Sequence, residues 1–192
     1  MNKTLLSMAL AAVCAVVAWA PQAASAADGT LTFKGNITTV TCDVTGGAGT
    51  GGGTGDIIIT LPTVGVSTLA AANQTAGATP FSLTIGGTGA TGCTNGKIAS
   101  LNFEPASSPL VNATTGNLKN TTGTGYAQNV EVALVNAATS QPVNLYTSAN
   151  SPQATIAGNT ATLNFIAQYI AVGTAATEGL VDTNVEYSVT YN

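Results

Sequence analysis

Segments in which apolar and polar residues alternate recur along the chain. Near the N-terminus, Gly29, Leu31, Phe33, Gly35 and Ile37 face one way, and the polar residues between them face the other. A two-residue period with aromatic and branched side chains predicts a half-buried β-strand. Strand patterns return at 81–85, 98–103, 130–134, 162–169 and 185–191.

Helical periodicity is missing from residues 27–192, where no window carries a sustained apolar stripe with capping residues. Several short strands with turn residues between them predict an all-β chain folded as an antiparallel β-sandwich. The Gly/Thr-rich tract 45–55 and the Ser/Thr/Asn/Gly-rich stretch 106–125 predict surface loops.

The first 26 residues have the pattern of a secretory signal peptide. Lys3 supplies a positive charge, residues 5–19 form an apolar run, and Ala24-Ser25-Ala26 is a small-x-small cleavage site. We therefore expect a signal peptide at 1–26. The strand at 27–37, here called the N-terminal arm, then precedes a single domain at 38–192.

The charge balance argues against several functions. Residues 27–192 hold three lysines against all eight acidic residues of the chain, a net charge of −5, and the chain contains no histidine or arginine. Nucleic-acid binding needs a basic surface, which this composition does not provide. The acidic residues are scattered over polar faces and loops, where solvated charge is expected. Without the usual nucleophile–base pairings, we expect neither an enzyme nor a cofactor.

Two cysteines remain after the signal peptide, Cys42 and Cys93. An even number in an exported protein favours one disulfide over two buried thiols. A metal site is not expected, because two thiols without histidine do not complete a tetrahedral zinc site.

Both ends of the chain, taken in order, resemble chaperone–usher fimbrial subunits, the type 1-like pilins of Gram-negative bacteria. The signal peptide is followed by an alternating arm with a glycine, Gly35, late in it. Cys93 follows the strand at 81–85, as the second cysteine of this family does. Residues 165–169 resemble the penultimate strand of the family, and 187–192 resemble its last strand, with Tyr191 one residue from the end.

The resemblance implies an incomplete immunoglobulin-like β-sandwich that lacks its last strand. A periplasmic chaperone lends a strand during export through an outer-membrane usher, and the arm of the next subunit replaces it by donor-strand exchange. That arm runs antiparallel to the C-terminal strand. The implied donor-strand residues are Gly29, Leu31, Phe33, Gly35 and Ile37. The implied groove residues on the C-terminal strand are Val185, Tyr187, Val189 and Tyr191.

The expected function is therefore that of a structural subunit, the major shaft pilin of a cell-surface fimbria that supports bacterial adhesion. Its partners would be identical or related pilin subunits, the chaperone and the usher. The alternative is a minor adaptor or tip-associated pilin with a receptor-binding role.

Overall fold

The computed structural model of the protein describes residues 42–87 and 89–192, which belong to the compact unit Thr38–Asn192. These residues form β-strands joined by loops and a one-turn 3-10 helix at Val66–Leu69. None of the helices in the described part of the chain is long and apolar enough to cross a membrane. The strands are β1 (Val44–Gly46), β2 (Gly51–Gly52), β3 (Ile57–Ile58), β4 (Thr75–Gly86), β5 (Ile98–Phe103), β6 (Leu118–Lys119), β7 (Val130–Asn136), β8 (Pro142–Val143), β9 (Gln153–Thr155), β10 (Thr160–Ala171) and β11 (Tyr187–Tyr191).

The larger sheet has the strand order β1-β4-β10-β7-β6, with β8 on β7, and all of its pairs are antiparallel. Its long central pair, β4 and β10, brings Phe81 opposite Phe165. Their rings stack with centroids 5.2 Å apart. Leu163 and Phe165 of β10 are buried while Asn164 between them is exposed, as the alternation predicts.

The smaller sheet contains β11, β5 and β9 in that order. Leu101 and Phe103 of β5 belong to one core cluster with Leu83 and Phe165 of the larger sheet. The core therefore lies between the two sheets. The all-β prediction is confirmed, and the sheets form a sandwich in which β11 lies at an edge.

The strand at 81–85 extends further than the alternation predicts, because β4 begins at Thr75. The register with β10 shifts between Ala167 and Tyr169, and Gly77 has a φ of 68°. The strand therefore bulges there, and an extra residue in a bulge breaks the two-residue period that identifies a strand in the sequence.

The Gly/Thr-rich tract also differs from the predicted surface loop. Its first part continues the edge of β4, where the Gly47 N–H donates to the Ser82 carbonyl at 2.9 Å and the Ser82 N–H donates to that of Ala48 at 2.9 Å. A Cβ atom at Gly47 or Gly49 would clash with the β4 chain. The glycines thus allow two backbones to approach closely. The tract then turns into the β2–β3 hairpin.

The disulfide prediction is confirmed. Cys42 and Cys93 are bonded, with Cα atoms 4.9 Å apart and a sequence separation of 51 residues. The bond ties the residue just before β1 to the loop that follows β4. The Asn159 side chain donates to the Cys93 carbonyl at 2.7 Å and holds the same loop against the start of β10.

Candidate functional site

Strand β11 is paired along one edge among the described residues. It runs antiparallel to β5, from Tyr187 opposite Phe103 to Tyr191 opposite Ala99. Just beyond it, Asn192 and Ile98 exchange two backbone hydrogen bonds of 2.9 Å. Antiparallel pairs alternate, so the backbone groups of the odd-numbered residues of β11 point away from β5. They form an edge to which another strand can bond.

The same odd-numbered positions point their side chains towards the core. Val185, Tyr187, Val189 and Tyr191 are half-buried and pack against the core cluster. The structure therefore brings together the four residues that the resemblance implies as groove residues. Glu186 faces outward; its N–H donates to the Ser108 hydroxyl at 2.9 Å, and its carbonyl accepts from the Glu104 N–H at 2.9 Å.

A second wall lies across from β11. It consists of Ile57, Ile59 and Leu61, which are half-buried, whereas Ile58 between them is 62% exposed. This wall, residues 57–61, and the chain at 181–187 enclose what we call the groove, a cavity of about 660 Å³. Its floor consists of core side chains from both sheets: Phe81, Leu83, Leu101, Phe103, Leu118, Val132, Leu134, Phe165, Ala167 and Tyr169.

The groove continues past Tyr187 into a shallower depression of about 840 Å³, lined by 42–44, 54–58 and 184–189. Here two tyrosine hydroxyls bond to backbone groups on the far side of the depression. The Tyr187 hydroxyl donates to the Gly55 carbonyl at 2.8 Å, and the Cys42 N–H donates to the Tyr191 hydroxyl at 3.3 Å. Together these bonds fix the distance between β11 and the backbone of Gly55 and Cys42 at this end.

Burial raises the pKa of both phenols. It raises the pKa of Tyr187 above the ordinary 10.0, and the charge of Asp56 raises it further. Burial also raises the pKa of Tyr191, where the hydrogen bond from Cys42 lowers it and the charge of Asp43 raises it. Both hydroxyls therefore stay neutral to a higher pH than a free phenol does, whereas Asp43, Asp56, Asp182 and Glu186 bring carboxylates to the lining next to β11.

Glu131 corrects the expectation that the acidic residues are solvated, because it is only 4% exposed. Its carboxylate accepts hydrogen bonds from Asn112 at 2.6 Å, Thr115 at 2.7 Å and Asn117 at 3.0 Å. These donors lie in the loop before β6, so the buried carboxylate anchors that loop. A glutamate inside an alternating strand gives no sequence signal of such burial.

The described residues offer little support for a site other than a strand-binding groove. Among 42–87 and 89–192, no group of three or more acidic or cysteine side chains is placed to hold a metal ion. Sequence reasoning identified one wall of the groove at β11 and did not assign the other. Residues 57–61 have the sequence IIITL, and because Ile58 is apolar too, polar and apolar residues do not alternate there and the inward face could not be assigned.

Some predicted site residues cannot be located in this geometry. The signal peptide at 1–26 and the arm residues Gly29, Leu31, Phe33, Gly35 and Ile37 lie outside the described residues. Their roles stay predictions from the sequence.

Comparisons with known proteins match most of the chain. The family model "Type-1 fimbrial protein, A" matches residues 61–192. The Major fimbrial subunit SMF-1 of Stenotrophomonas maltophilia is 38% identical over 92% of this chain and 100% of its own length. The Minor fimbrial subunit HifD of Haemophilus influenzae is 35% identical over 88% of this chain and 76% of its own.

A solved structure of a chaperone–usher pilus shares the fold, with a TM-score of 0.54 and 20% identity over 86% of this chain and 96% of that one. The fold-class prediction is thereby confirmed, including the incomplete immunoglobulin-like sandwich. The protein is a structural subunit exported to the cell surface and not an enzyme. The chain belongs to the type-1 fimbrial protein family of chaperone–usher fimbrial subunits.

Proposed function

We propose that this protein is the major shaft subunit of a fimbria and polymerises by donor-strand exchange. Each copy places its N-terminal arm in the groove of a neighbouring copy, where the arm becomes the missing strand beside β11. The fimbria supports bacterial adhesion. The observation that carries the proposal is an open apolar groove beside the edge of β11 that has no strand partner among residues 42–87 and 89–192.

Strand addition joins two kinds of contact, main-chain hydrogen bonds for affinity and alternate side-chain pockets for specificity. The backbone groups of Val189 and its odd-numbered neighbours supply the first. The groove floor accepts Leu31, Phe33 and Ile37, each of which contributes about 1.5–3 kcal/mol when fully buried. Gly35 allows the arm backbone to lie close to the floor, and Gly29 contributes little.

The chain length between arm and domain favours insertion into a second copy. Five residue steps separate Ile37 from Cys42, and they span at most about 18 Å. An arm antiparallel to β11 has its Ile37 end beside Val181, while Cys42 lies at the Tyr191 end. Val181 packs in one cluster with Ala171 and Cys42 is bonded to Cys93 beside Asn159, so these two ends of the groove lie at opposite ends of the 12-residue strand β10, roughly 36 Å apart. An antiparallel arm therefore comes from another copy.

Such an interface is heterologous and does not close, so repeating it yields an open filament. Before assembly the unpaired β11 edge is an aggregation hazard. A periplasmic chaperone that lends a strand would protect it until an outer-membrane usher exchanges that strand for an arm. The proposed partners are therefore this chaperone, this usher and other pilin subunits.

Two variants in the arm test donor-strand exchange. Gly35→Leu places a bulky side chain against the groove floor, and we expect it to abolish fibres while leaving a soluble complex with the chaperone. Asn36→Leu adds the same side chain on the outward face and should assemble normally. Electron microscopy of surface fibres and chaperone co-purification measure both outcomes. Normal fibre yield from Gly35→Leu would contradict the arm assignment.

The minor adaptor subunit is the second candidate, and the 35% identity to the minor subunit HifD favours it. Copy number separates the two roles. We expect mass spectrometry of purified fibres to find this protein as their main component. If fibres of normal length contained it at about one copy each, the adaptor role would replace the shaft role.

A further inference from the structure

The long strand β10 defines two opposite ends of the domain. At its start, Thr160 pairs with Gly86, and Asn159 contacts Cys93, so this is the disulfide end. At its finish, Ala171 pairs with Val130, which is the distal end. The 12 residues of β10 span roughly 36 Å. A contact between these two ends is therefore impossible within one subunit.

The distal end exposes two large apolar side chains. Leu180 is 68% exposed and Val66 is 51% exposed. Their neighbours Val181 and Val64 pack on one small cluster with Ala171, which places both residues at this end. The backbone of Leu180 is fixed, because its N–H donates to Gly125 at 2.8 Å and its carbonyl accepts from Ala127 at 2.9 Å.

The disulfide end exposes a third apolar side chain, less exposed than those two, beside a positive charge. Ile98, the first residue of β5, is 39% exposed, and Lys97 before it is also exposed. The Lys97 carbonyl accepts a hydrogen bond from the Ile156 N–H at 2.8 Å, and Ile98 is bonded to Asn192. This pair is therefore presented on ordered backbone.

The tether between arm and domain brings these ends together. This step rests on the proposed function, in which Ile37 of the donor lies near Val181 of the acceptor. The donor's Cys42 is five residue steps after Ile37. It therefore lies within about 18 Å of Ile37, and so of the acceptor's distal end. Single exposed apolar residues are common on protein surfaces. Leu180 and Val66 differ in lying at the groove end from which the donor chain emerges.

We propose that the disulfide end of each subunit packs against the distal end of the subunit whose groove holds its arm. The partner surface is a second copy of this chain. Ile98 of the donor lies against Leu180 and Val66 of the acceptor. Lys97 of the donor faces the exposed carboxylates of Glu178 and Asp182.

The charges at the two ends suit this contact. Asp43 at the disulfide end and Lys119 at the distal end are also opposite in sign, and both are exposed. The contact adds a body-to-body interface to the strand that links the subunits. It would fix the angle between neighbours, which a tether of a few residues alone does not.

The first test uses unmodified fibres and a carbodiimide, which joins an amine to a carboxylate without a spacer. We expect peptides that link Lys97 to Glu178 or Asp182, and such a link must join two subunits. The link from Lys119 to Asp182 is the internal control, because these residues are close within one subunit. The Thr121 N–H, two residues after Lys119, donates to the Asp182 carbonyl at 3.0 Å. A Lys119–Asp182 link without any Lys97 link to these carboxylates would overturn the contact.

The second test introduces cysteine pairs, read as covalent ladders on non-reducing gels. Ile98→Cys with Leu180→Cys should give a ladder after mild oxidation of the fibres. Ile98→Cys with Thr139→Cys is the control, since the exposed Thr139 follows Asn136, which pairs with Phe165 and so lies six strand residues from the distal end, and it should give no ladder. Equal ladders from both pairs would overturn the contact. If the variant with cysteines at 98 and 180 does not form fibres, the carbodiimide links in unmodified fibres test the contact.

Failure of this inference differs from failure of donor-strand exchange. Fibres that form normally and show neither cross-link would refute the end-to-end contact and leave the groove proposal standing. Fibres that form normally without residues 27–34 would refute the groove proposal, and the tether argument for this contact would fall with it.

Discussion

Moving the arm to the other end of the chain should convert a polymerising subunit into a stable monomer. An arm antiparallel to β11 begins beside Tyr191, so residues 27–37 placed after Asn192 can enter the groove through a turn of about two to five residues. Burial of Leu31, Phe33 and Ile37 would then stabilise the monomer by roughly 5–9 kcal/mol, at about 1.5–3 kcal/mol each. The first readout is mass by light scattering, where we expect a single monomeric species.

The magnitude is measured by urea unfolding of that monomer. Phe33→Ala in the relocated arm should lower the free energy of unfolding by about 3–5 kcal/mol, because a large side chain leaves a buried site. Thr32→Ala, on the outward face, is the matched control and should change it by less than about 0.5 kcal/mol. Equal effects of the two substitutions would refute the assignment of inward and outward faces. A relocated arm that gave no gain over the chain lacking residues 27–37 would refute the groove as its binding site.

Three further outcomes can be measured on the same monomer. Replacing Cys42 and Cys93 by serine should lower the free energy of unfolding by about 4 kcal/mol in the chain-entropy model for a separation of 51 residues, and an unchanged urea midpoint would contradict this. Glu131→Leu leaves three side-chain donors without their acceptor and should cost roughly 3 kcal/mol or more. Glu178→Leu, at an exposed site, should change stability by less than about 0.5 kcal/mol. Because the folded-state pKa of Tyr187 is raised, its contribution is complete below the ordinary pKa of 10.0 and is lost as pH rises through the folded value. Tyr187→Phe should therefore flatten the fall in stability above pH 10, and an unchanged slope would argue against the burial of this phenol.

Alternation in the sequence was sufficient to predict the strands that have one buried face. Phe165 and its neighbours in β10 alternate as expected, and so do the residues of β11. The inward-facing residues of β11 could be predicted from their alternation, whereas their assignment as groove residues came from the resemblance to pilins, because an exposed strand edge leaves no periodic pattern in the sequence. The limits of β4 could not, since the bulge near Gly77 interrupts the period within a continuous strand.

Other features depend on contacts between distant parts of the chain. The glycines at 47 and 49 are explained by the close approach of β4, a segment more than 30 residues away. The burial of Glu131 depends on Asn112, Thr115 and Asn117 closing over it. A local pattern cannot distinguish this arrangement from a solvated carboxylate on the polar face of a strand.

The direction of the arm explains why the chain should assemble rather than close on itself. The tether joins Ile37 to Cys42 at the disulfide end, where Tyr191 also lies. An arm inserted into its own groove would therefore run parallel to β11, whereas an arm from another copy can run antiparallel. Antiparallel pairing is slightly more stable per residue. The relocated arm measures this preference directly. The first monomer carries residues 27–37 after Asn192, so that its arm lies antiparallel to β11. The second keeps its native arm, which a disulfide holds in its own groove. We expect the first to be the more stable. If the two were equally stable, strand direction would not be what favours the fibre.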